Sequence, residues 1–260
     1  ILDEADEMLS MGFKEDLEEI LSSTPEEKQI LLFSATMSKK VLGITQKYMK
    51  NSLRISVSSQ NKGVENVSHI FYMVQAKDKY EVLKRIADLN PNIYGITFCR
   101  TRRDTKEIAN KLMQDGYNAD AIHGDLSQSQ RDEVMGRFRK QQLQILVATD
   151  VAARGLDVNN LTHVINYNLP DETEAYTHRS GRTGRAGKSG ISIVICHSRE
   201  MNKIKKIEKQ TKIKFIKKQV PTGNEICRIQ LMALIEKVKN VNIDNNQIEP
   251  FLSEINYKLK

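Results

Sequence analysis

The chain has 260 residues, of which 39% are hydrophobic and 28% are charged, a balance typical of globular domains. No apolar run approaches the roughly 20 residues of a membrane-spanning helix, no signal-peptide pattern opens the chain, and three scattered cysteines do not suit a disulfide scaffold. We therefore expect a cytoplasmic protein with no membrane partner. Its formal net charge is +7, which points to a polyanionic partner if the charge is clustered.

Few elements are predicted at the start of the chain. Ile1 and Leu2 have the character of the end of a strand, residues 30–36 (ILLFSAT) form a continuous apolar run typical of a buried strand, and residues 38–49 carry a helical pattern. So few elements bury too little surface to be stable alone. We therefore interpret residues 1–60 as the C-terminal part of a larger lobe.

A polar, glycine-containing stretch over 51–66 follows and predicts a linker, which we place at 61–66. Over 67–220, apolar runs alternate with helical patterns. The predicted strands cover 69–75, 94–99, 117–124, 144–150, 163–170 and 190–197, and the predicted helices cover 78–89, 104–116 and 128–140. This alternation predicts an α/β domain with a mostly parallel sheet and helices on both faces.

The C-terminal part of the chain carries the positive charge. Residues 199–219 hold nine Lys and Arg residues and two Glu residues, which account for the whole net charge of +7. Apolar residues such as Ile204 and Ile207 can anchor this stretch, which favours a solvated lysine face, although nucleic-acid binding uses the same pattern. Beyond it, EICRIQLMALIEKV has the pattern of an amphipathic helix, so we predict a helical extension over 221–260.

Asp3 and Glu4 follow the first apolar residues of the chain. Acidic residues at the carboxyl end of a parallel strand lie where α/β sheets bind ligands, and in phosphate chemistry they hold Mg²⁺ or orient a water molecule. A helix with an acidic first turn would explain the same pair without any chemistry.

Residues 178–190 (HRSGRTGRAGKSG) alternate arginine with glycine in a predicted loop. Glycine lets the backbone approach an anion, and arginine offers a fork of donors for phosphate. Arg182 and Arg185 are three residues apart, so in a helical turn both would face the same way. The stretch therefore predicts an anion site. Its GKS tripeptide at 187–189 is not a P-loop, because Arg182 stands where the first glycine would be and a strand follows.

Two other signals are weak by themselves. In VATDVAARGLDV (147–158), Thr149 can donate to a phosphate oxygen and Asp157 can accept from ribose hydroxyls. Cys196 and His197 have no second pair at ligand spacing, so no metal site is predicted there.

In chain order, six stretches resemble motifs of the DEAD-box RNA helicases. They are ILDEADEML (1–9), SAT (34–36), ITFCRTR (96–102), HGDLSQSQRDEVMGRF (123–138), VATDVAARGLDV (147–158) and HRSGRTGRAG (178–187). The resemblance covers about residues 1–220 and implies two RecA-like lobes with ATP between them and RNA across both. Residues 1–60 would end the first lobe, and 67–220 would be the second. The family's P-loop has no match here, so the resemblance implies a longer ATP-dependent helicase and an inactive fragment.

The resemblance also implies residue roles. Asp3 would hold Mg²⁺ through water, Glu4 would orient or deprotonate the hydrolytic water, and Arg182 and Arg185 would be catalytic arginine fingers on the γ-phosphate. The implied nucleotide-binding residues are Asp3, Gly155, Asp157, His178, Arg182 and Arg185. The residues implied to couple the lobes are Asp6, Ser34, Thr36 and Arg179. The implied contacts to the RNA backbone are Thr101, Arg102, Gly124, Gln128, Arg131 and Thr149.

The extension over 221–260 resembles, more loosely, the region after the core in bacterial cold-shock members, which implies a homodimer through it. A helical tail packed on the second lobe is the alternative. Two functions are alternatives to the helicase, namely a non-hydrolytic clamp on RNA or a partner and a DNA-strand translocase. Both halves of the hydrolytic site are present, which favours the enzyme, and the DEAD tetrad counts against the translocase.

Overall fold

A computed structural model describes residues 1–10, 12–56, 66–153, 158, 160–185, 187–240 and 251–258. The chain divides into two units, Ile1–Gln60 and Asn61–Lys260. The predicted linker at 61–66 falls almost entirely outside the described residues, so it stays a prediction.

The first unit contains three helices, α1 (Ala5–Ser10), α2 (Lys14–Ser22) and α3 (Lys39–Tyr48). Ser38 caps α3 by accepting a hydrogen bond from the backbone nitrogen of Val41 at 3.3 Å, as N-cap serines do. The helices share a small core made of Leu9, Leu17, Leu21, Val41 and Ile44.

The predicted buried strand over 30–36 is wrong. Among the described residues this segment forms only an isolated parallel bridge between Leu2 and Leu32, and Leu31 and Phe33 are 42% and 55% exposed. A parallel strand is extended by pairing with neighbours along its length. Leu2 supplies the one pairing position that the structure describes, so the apolar run does not become a strand.

The second unit is built on a seven-stranded, fully parallel sheet with the order β3-β4-β2-β5-β6-β1-β7. The strands are β1 (Val67–Met73), β2 (Gly95–Phe98), β3 (Ala119–Ile122), β4 (Ile145–Ala148), β5 (His163–Asn166), β6 (Gly190–Cys196) and β7 (Ile216–Lys218). All strands predicted over 67–220 are present, and the predicted α/β class is confirmed.

Helices cover both faces of the sheet. They are α4 (Lys79–Leu89), α5 (Arg102–Gln114), α6 (Gln128–Arg139), α7 (Asp150–Ala153), α8 (Thr173–Ser180) and α9 (Met201–Thr211), followed by α10 (Gly223–Lys239) and α11 (Leu252–Lys258). Successive β4 residues point to opposite faces: Ile145 and Val147 pack with α4 and α5, and Leu146 and Ala148 pack with α6 and α7. A third cluster joins α8 and α9 to β1 and β6.

Four elements of this unit, α7, α8, α9 and β7, were not predicted. Residues 178–180 belong to the last turn of α8 rather than to a loop. The basic stretch over 199–219 contains a helix, α9, and the edge strand β7, which pairs with β1. Neither element was predicted, because charged residues dominate both. As expected, the isoleucines Ile204 and Ile207 are buried and anchor α9.

The extension packs on the second unit through one face of α10. Half-buried Ile226, Ile229 and Ala233 lie on the face toward α4, and Arg85 Nη1 donates to the carbonyl of Pro221 at 3.0 Å. The described helices include none that combines the length and the apolar character required to cross a membrane.

Candidate functional site

Asp3 and Glu4 are exposed at the start of α1. The carbonyl of Glu4 accepts hydrogen bonds from the backbone nitrogens of Glu7 and Met8 at 2.9 and 3.1 Å, so Glu4 begins the helix. It does so at φ = 49°, in the left-handed region, while its own nitrogen donates to Asp3 Oδ1 at 2.9 Å. A non-glycine residue held there stores on the order of 1 kcal/mol of strain, which is typical of functional sites.

Asp6 is buried behind this pair and binds the SAT segment. Its Oδ2 accepts hydrogen bonds from the backbone nitrogen of Thr36 at 2.8 Å and from its hydroxyl at 2.7 Å. The hydroxyl of Ser34 donates to the carbonyl of Thr36 at 2.6 Å. The three predicted coupling residues of the first unit are therefore brought together, and any shift of the SAT segment would be transmitted to the start of α1.

Arg179, the fourth predicted coupling residue, lies in the last turn of α8 and is 4% exposed. Its guanidinium donates to both carboxylate oxygens of Asp150 at 2.6 and 2.7 Å. It also donates to Asn166 Oδ1 and to the carbonyl of Asn168, both at 2.8 Å, and lies 4.7 Å from the centre of the Phe98 ring. Arg179 thus joins α8 to the ends of β4 and β5 within the second unit.

His178 lies in the last turn of α8, whereas Arg182 and Arg185 lie beyond the end of this helix, so the expectation for a helical turn does not apply to them. The helix ends at Ser180, and Gly184 and Gly187 have φ values of +70° and +77°. A left-handed glycine redirects the chain, so turn geometry, rather than a helix, sets the directions of the Arg182 and Arg185 side chains. Arg182 is half-buried and Arg185 is exposed, and Arg185 Nε donates to the carbonyl of Gly181.

Position 190 shows why glycine is needed in this segment. A Cβ atom on Gly190 would lie 2.6 Å from the backbone nitrogen of Gly184 and 2.2 Å from the hydroxyl of Thr183. The hydroxyl of Thr183 in turn donates to the carbonyl of Leu161. The loop that carries the arginines is therefore pressed directly against the first residue of β6.

Two predicted nucleotide-binding residues, Gly155 and Asp157, lie outside the described residues. Thr149, just before them, is described and buried. Its hydroxyl accepts a hydrogen bond from the backbone nitrogen of Ala152 at 3.3 Å, so it caps α7. Arg131 of α6 donates to the carbonyl of Ala152 at 2.7 Å. Thr149 and Arg131, both predicted RNA contacts, therefore both form hydrogen bonds with the short helix α7.

The other predicted RNA contacts lie at the same edge of the sheet. Thr101 follows β2 and caps α5 by accepting from Asp104 N at 3.0 Å, and Gly124 follows β3 close to the guanidinium of Arg102. Gln128 opens α6. Because β3, β4 and β2 are neighbours, residues that follow their carboxyl ends are grouped, as the sheet topology requires.

An acidic residue that the sequence analysis missed organises this group. Asp125 accepts hydrogen bonds from Arg102 Nη1 at 2.7 Å and from Lys106 Nζ at 3.1 Å. These two cations hold the pKa of the Asp125 carboxyl below its usual range. Asp150 was missed as a partner in the same way. Asp125 follows a predicted strand and Asp150 ends another, which was the available signal, but only the fold shows which cations these carboxylates meet.

Hydrogen bonds among buried side chains hold α8 on the sheet. The Tyr176 hydroxyl lies 2.6 Å from His69 Nδ1 and 3.1 Å from Ser192 Oγ, which lies 2.9 Å from Ser180 Oγ. Burial lowers the pKa of His69 to about 4, so the ring is neutral at physiological pH. These hydrogen bonds therefore fix the position of α8, the helix that precedes Arg182 and Arg185, on the sheet.

Metal binding at Cys196 was not predicted. Burial raises the pKa of its thiol to about 11, which disfavours the thiolate that binds metal. Within the described ranges, no group of three or more His, Cys, Asp or Glu side chains is placed to hold a metal ion. A lone exposed carboxylate such as Asp3 still suits Mg²⁺, which keeps several waters and takes one or two carboxylates together with substrate phosphates.

Three families match the chain in succession. Residues 1–44 match the family described as DEAD/DEAH box helicase, residues 78–187 match the helicase conserved C-terminal domain, and residues 226–260 match the helical domain of probable ATP-dependent RNA helicases. These ranges include the Asp3–Glu4 pair, the RNA-contact group and most of α10.

Among known proteins, the chain is similar to the DEAD-box ATP-dependent RNA helicase CshA of Bacillus cereus, with 43% identity over 95% of this chain and 47% of the relative. It is also similar to the structure of the Escherichia coli DEAD-box protein SrmB bound to the regulator RraA, with 30% identity, a TM-score of 0.54, and coverage of 61% of this chain and 93% of that one. A third similar structure is Saccharomyces cerevisiae Dbp5 L327V bound to RNA and ADP BeF3, with 28% identity, a TM-score of 0.79, and coverage of 90% and 62%. The chain spans about half the length of the curated relatives it matches.

Proposed function

Because the chain belongs to the DEAD-box family of ATP-dependent RNA helicases, we propose that the whole protein hydrolyses ATP to separate RNA duplexes or remodel RNA–protein complexes. The observation that carries this proposal is the arrangement of the second unit. The RNA-contact residues follow β2, β3 and β4, and Arg179 joins the end of β4 to the segment that carries Arg182 and Arg185. An RNA grip and an arginine-bearing loop on one rigid scaffold suit a machine driven by lobe closure.

For the hydrolytic step, Asp3 would hold Mg²⁺ through water, and the ion would supply charge neutralisation at the phosphates. Glu4 orients the attacking water and accepts its proton. Arg182 and Arg185 stabilise the charge that develops on the γ-phosphate, as arginine fingers do, while His178, Gly155 and Asp157 hold the nucleotide. The left-handed backbone of Glu4 supports this assignment, since strain of that kind is kept where it serves a function.

For RNA, the grouped side chains at the carboxyl edge bind the sugar-phosphate backbone. Thr149 and the amides of α7 offer donors to a phosphate, and Arg102 reaches a second one once it leaves Asp125. Contacts of this kind tolerate any sequence and weaken with salt. The relative that carries RNA together with ADP BeF3 supports placing both ligands on this fold.

We also propose a homodimer through the outer face of α10. Leu231, Leu234, Ile235 and Val238 are all exposed and recur at i, i+3, i+4 and i+7, the spacing of a helix-pairing stripe. The opposite face of α10 already packs on α4, so a helical tail and a dimer are compatible. In sedimentation equilibrium, Leu234→Glu should yield monomers where the unsubstituted protein yields dimers. A monomer without the substitution would refute this part.

The three cysteines are free thiols, with Cys99 and Cys196 buried and Cys227 exposed. Thiols kept reduced are usual in the cytoplasm, and this supports our assignment of the protein to that compartment.

The test of the main proposal uses the whole protein and measures RNA-stimulated ATP hydrolysis and separation of RNA and DNA duplexes. Glu4→Gln should abolish turnover and leave ATP and RNA binding intact. Glu15→Gln removes an exposed carboxylate from α2 and serves as the matched control, with unchanged turnover. Full turnover in the Glu4 variant would reject the hydrolytic role. Binding of RNA without any hydrolysis by the unsubstituted protein would indicate a clamp instead.

A further inference from the structure

A second basic surface lies away from the predicted RNA contacts, on α9, on β7 and between them. We call it the α9–β7 surface. It includes six exposed lysines, which are Lys205, Lys206, Lys209, Lys214, Lys217 and Lys218. Buried Ile204, Ile207 and Ile213 fix the backbone that carries them, so the positive charges are held on a rigid scaffold rather than on a loose tail.

The acidic residues of the same stretch do not neutralise this surface. Glu200 is buried, with its carboxylate 3.4 Å from Lys79 Nζ and 3.6 Å from His197 Nε2. Glu208 accepts a hydrogen bond from the backbone nitrogen of Phe215 at 3.0 Å. Both carboxylates are thus engaged by protein groups, and the lysines face solvent.

The lysines of the α9–β7 surface also lack carboxylate partners from other parts of the fold. In the part of the chain that the structure describes, none of the six forms an ion pair, whereas their neighbour Lys203 pairs with Asp171 and Lys111 pairs with Glu107. Six like charges on one small surface repel one another unless a polyanion neutralises them.

The position of β7 separates this surface from the predicted RNA contacts. β7 is one edge of the sheet, four strands from β2 and six from β3. At about 4.8 Å per strand, these separations are roughly 19 and 29 Å. An RNA held at the ends of β2, β3 and β4 would therefore reach the α9–β7 surface only with nucleotides that flank the gripped segment.

Protection of the sheet edge and an acidic protein partner account for the lysines less well than RNA does. Lysines on an edge strand prevent edge-to-edge pairing, which explains Lys217 and Lys218 but not the lysines of α9. An acidic protein partner would need aromatic anchors, because protein interfaces are depleted in lysine and enriched in aromatic residues. Phe215, the aromatic residue of the stretch, is half-buried against the core.

We propose that the α9–β7 surface binds the phosphate backbone of single-stranded RNA that extends beyond the segment held at the carboxyl edge of β2, β3 and β4. The proposal rests on the proposed function, since it assumes that RNA is held there. Lysines on flexible stems suit phosphate as point charges without reading bases, so binding is independent of sequence and depends on RNA length.

The test measures the binding of two labelled oligouridylates, of about 10 and about 30 nucleotides, to the whole protein by fluorescence anisotropy. Single-strand sites span roughly 4–16 nucleotides, so the short RNA fills one site and the long RNA extends beyond it. The variant is Lys205→Gln/Lys206→Gln/Lys209→Gln. We expect unchanged affinity for the short RNA and a loss of roughly 10-fold or more for the long RNA at low salt. Each phosphate contact to a single strand contributes about 0.7 to the slope of log affinity against log salt. Loss of three lysine contacts should therefore reduce the magnitude of this slope by about 2.

The matched control, Lys77→Gln/Lys111→Gln/Lys140→Gln, removes the same charge from three other exposed positions and should bind both RNAs as the unsubstituted protein does. Equal melting temperatures check folding. Equal losses of affinity for the long RNA in the variant and the control would overturn the proposal. Unchanged binding of the long RNA by the variant would overturn it too, and would favour an acidic protein as the partner of this surface. Failure of the unsubstituted protein to bind the short RNA would instead refute the proposed function.

Discussion

Replacing Arg179 by Gln tests whether the second unit depends on the buried junction between α8 and the ends of β4 and β5. The substitution removes both hydrogen bonds to Asp150, the bonds to Asn166 and Asn168, and the contact with the Phe98 ring. Breaking a buried ion pair costs about 3–5 kcal/mol. The Asp150 side chain is 39% exposed and can be rehydrated, so we expect a loss near the lower end, about 3 kcal/mol.

The assay is urea unfolding of the chain, followed by circular dichroism, with variants compared at a constant slope. Arg179→Lys keeps the charge but loses the two-pronged geometry, so it should fall between the unsubstituted protein and the Gln variant. Arg102→Gln is the control, because its pair with Asp125 has side chains that are 64% and 40% exposed and such pairs contribute less than about 1 kcal/mol. If Arg179→Gln costs no more than this control, the junction does not hold the second unit together.

Three other outcomes are expected. Gly190→Ala should lower the free energy of unfolding in urea by about 1–3 kcal/mol, because its Cβ would overlap a backbone nitrogen. Gly136→Ala, in a helix with open space around it, should raise the free energy of unfolding by about 0.5–1 kcal/mol. Equal effects of the two substitutions would contradict this account. Burial lowers the pKa values of His69 and His163 to about 4 in the folded chain, whereas a histidine in the unfolded chain has a pKa of about 6.5. Between these values only the unfolded chain takes up protons. The free energy of unfolding should therefore fall by about 1.4 kcal/mol per pH unit for each histidine as pH drops from 6 to 4.5. A urea midpoint that does not change over that range would exclude this coupling. Glu4→Gly should relieve its left-handed strain and keep or raise the melting temperature while ATP turnover in the whole protein is lost, and a parallel loss of stability and turnover would assign Glu4 to folding alone.

Local patterns were enough to predict most of the second unit. The runs YGITFC and QILVATD are continuous and apolar because β2 and β4 are buried on both faces, and DTKEIANKLMQDG has helical spacing because only one side of α5 meets the core. The order of the six motifs was equally a property of the chain, and it indicated the family before any contact was known.

Contacts between distant residues decided the rest. The run over 30–36 has the composition of a buried strand, but among the described residues it pairs only with Leu2. By contrast, β7 forms beside β1 although its own residues are mainly charged. The assignment of Arg179 to lobe coupling came from its motif and stays a prediction, whereas its partner Asp150, 29 residues away in the chain, became known only from the fold. Side-chain periodicity reports which residues are buried, whereas pairing, register and charge partners depend on which segments the chain brings together, and those become defined only in the folded structure.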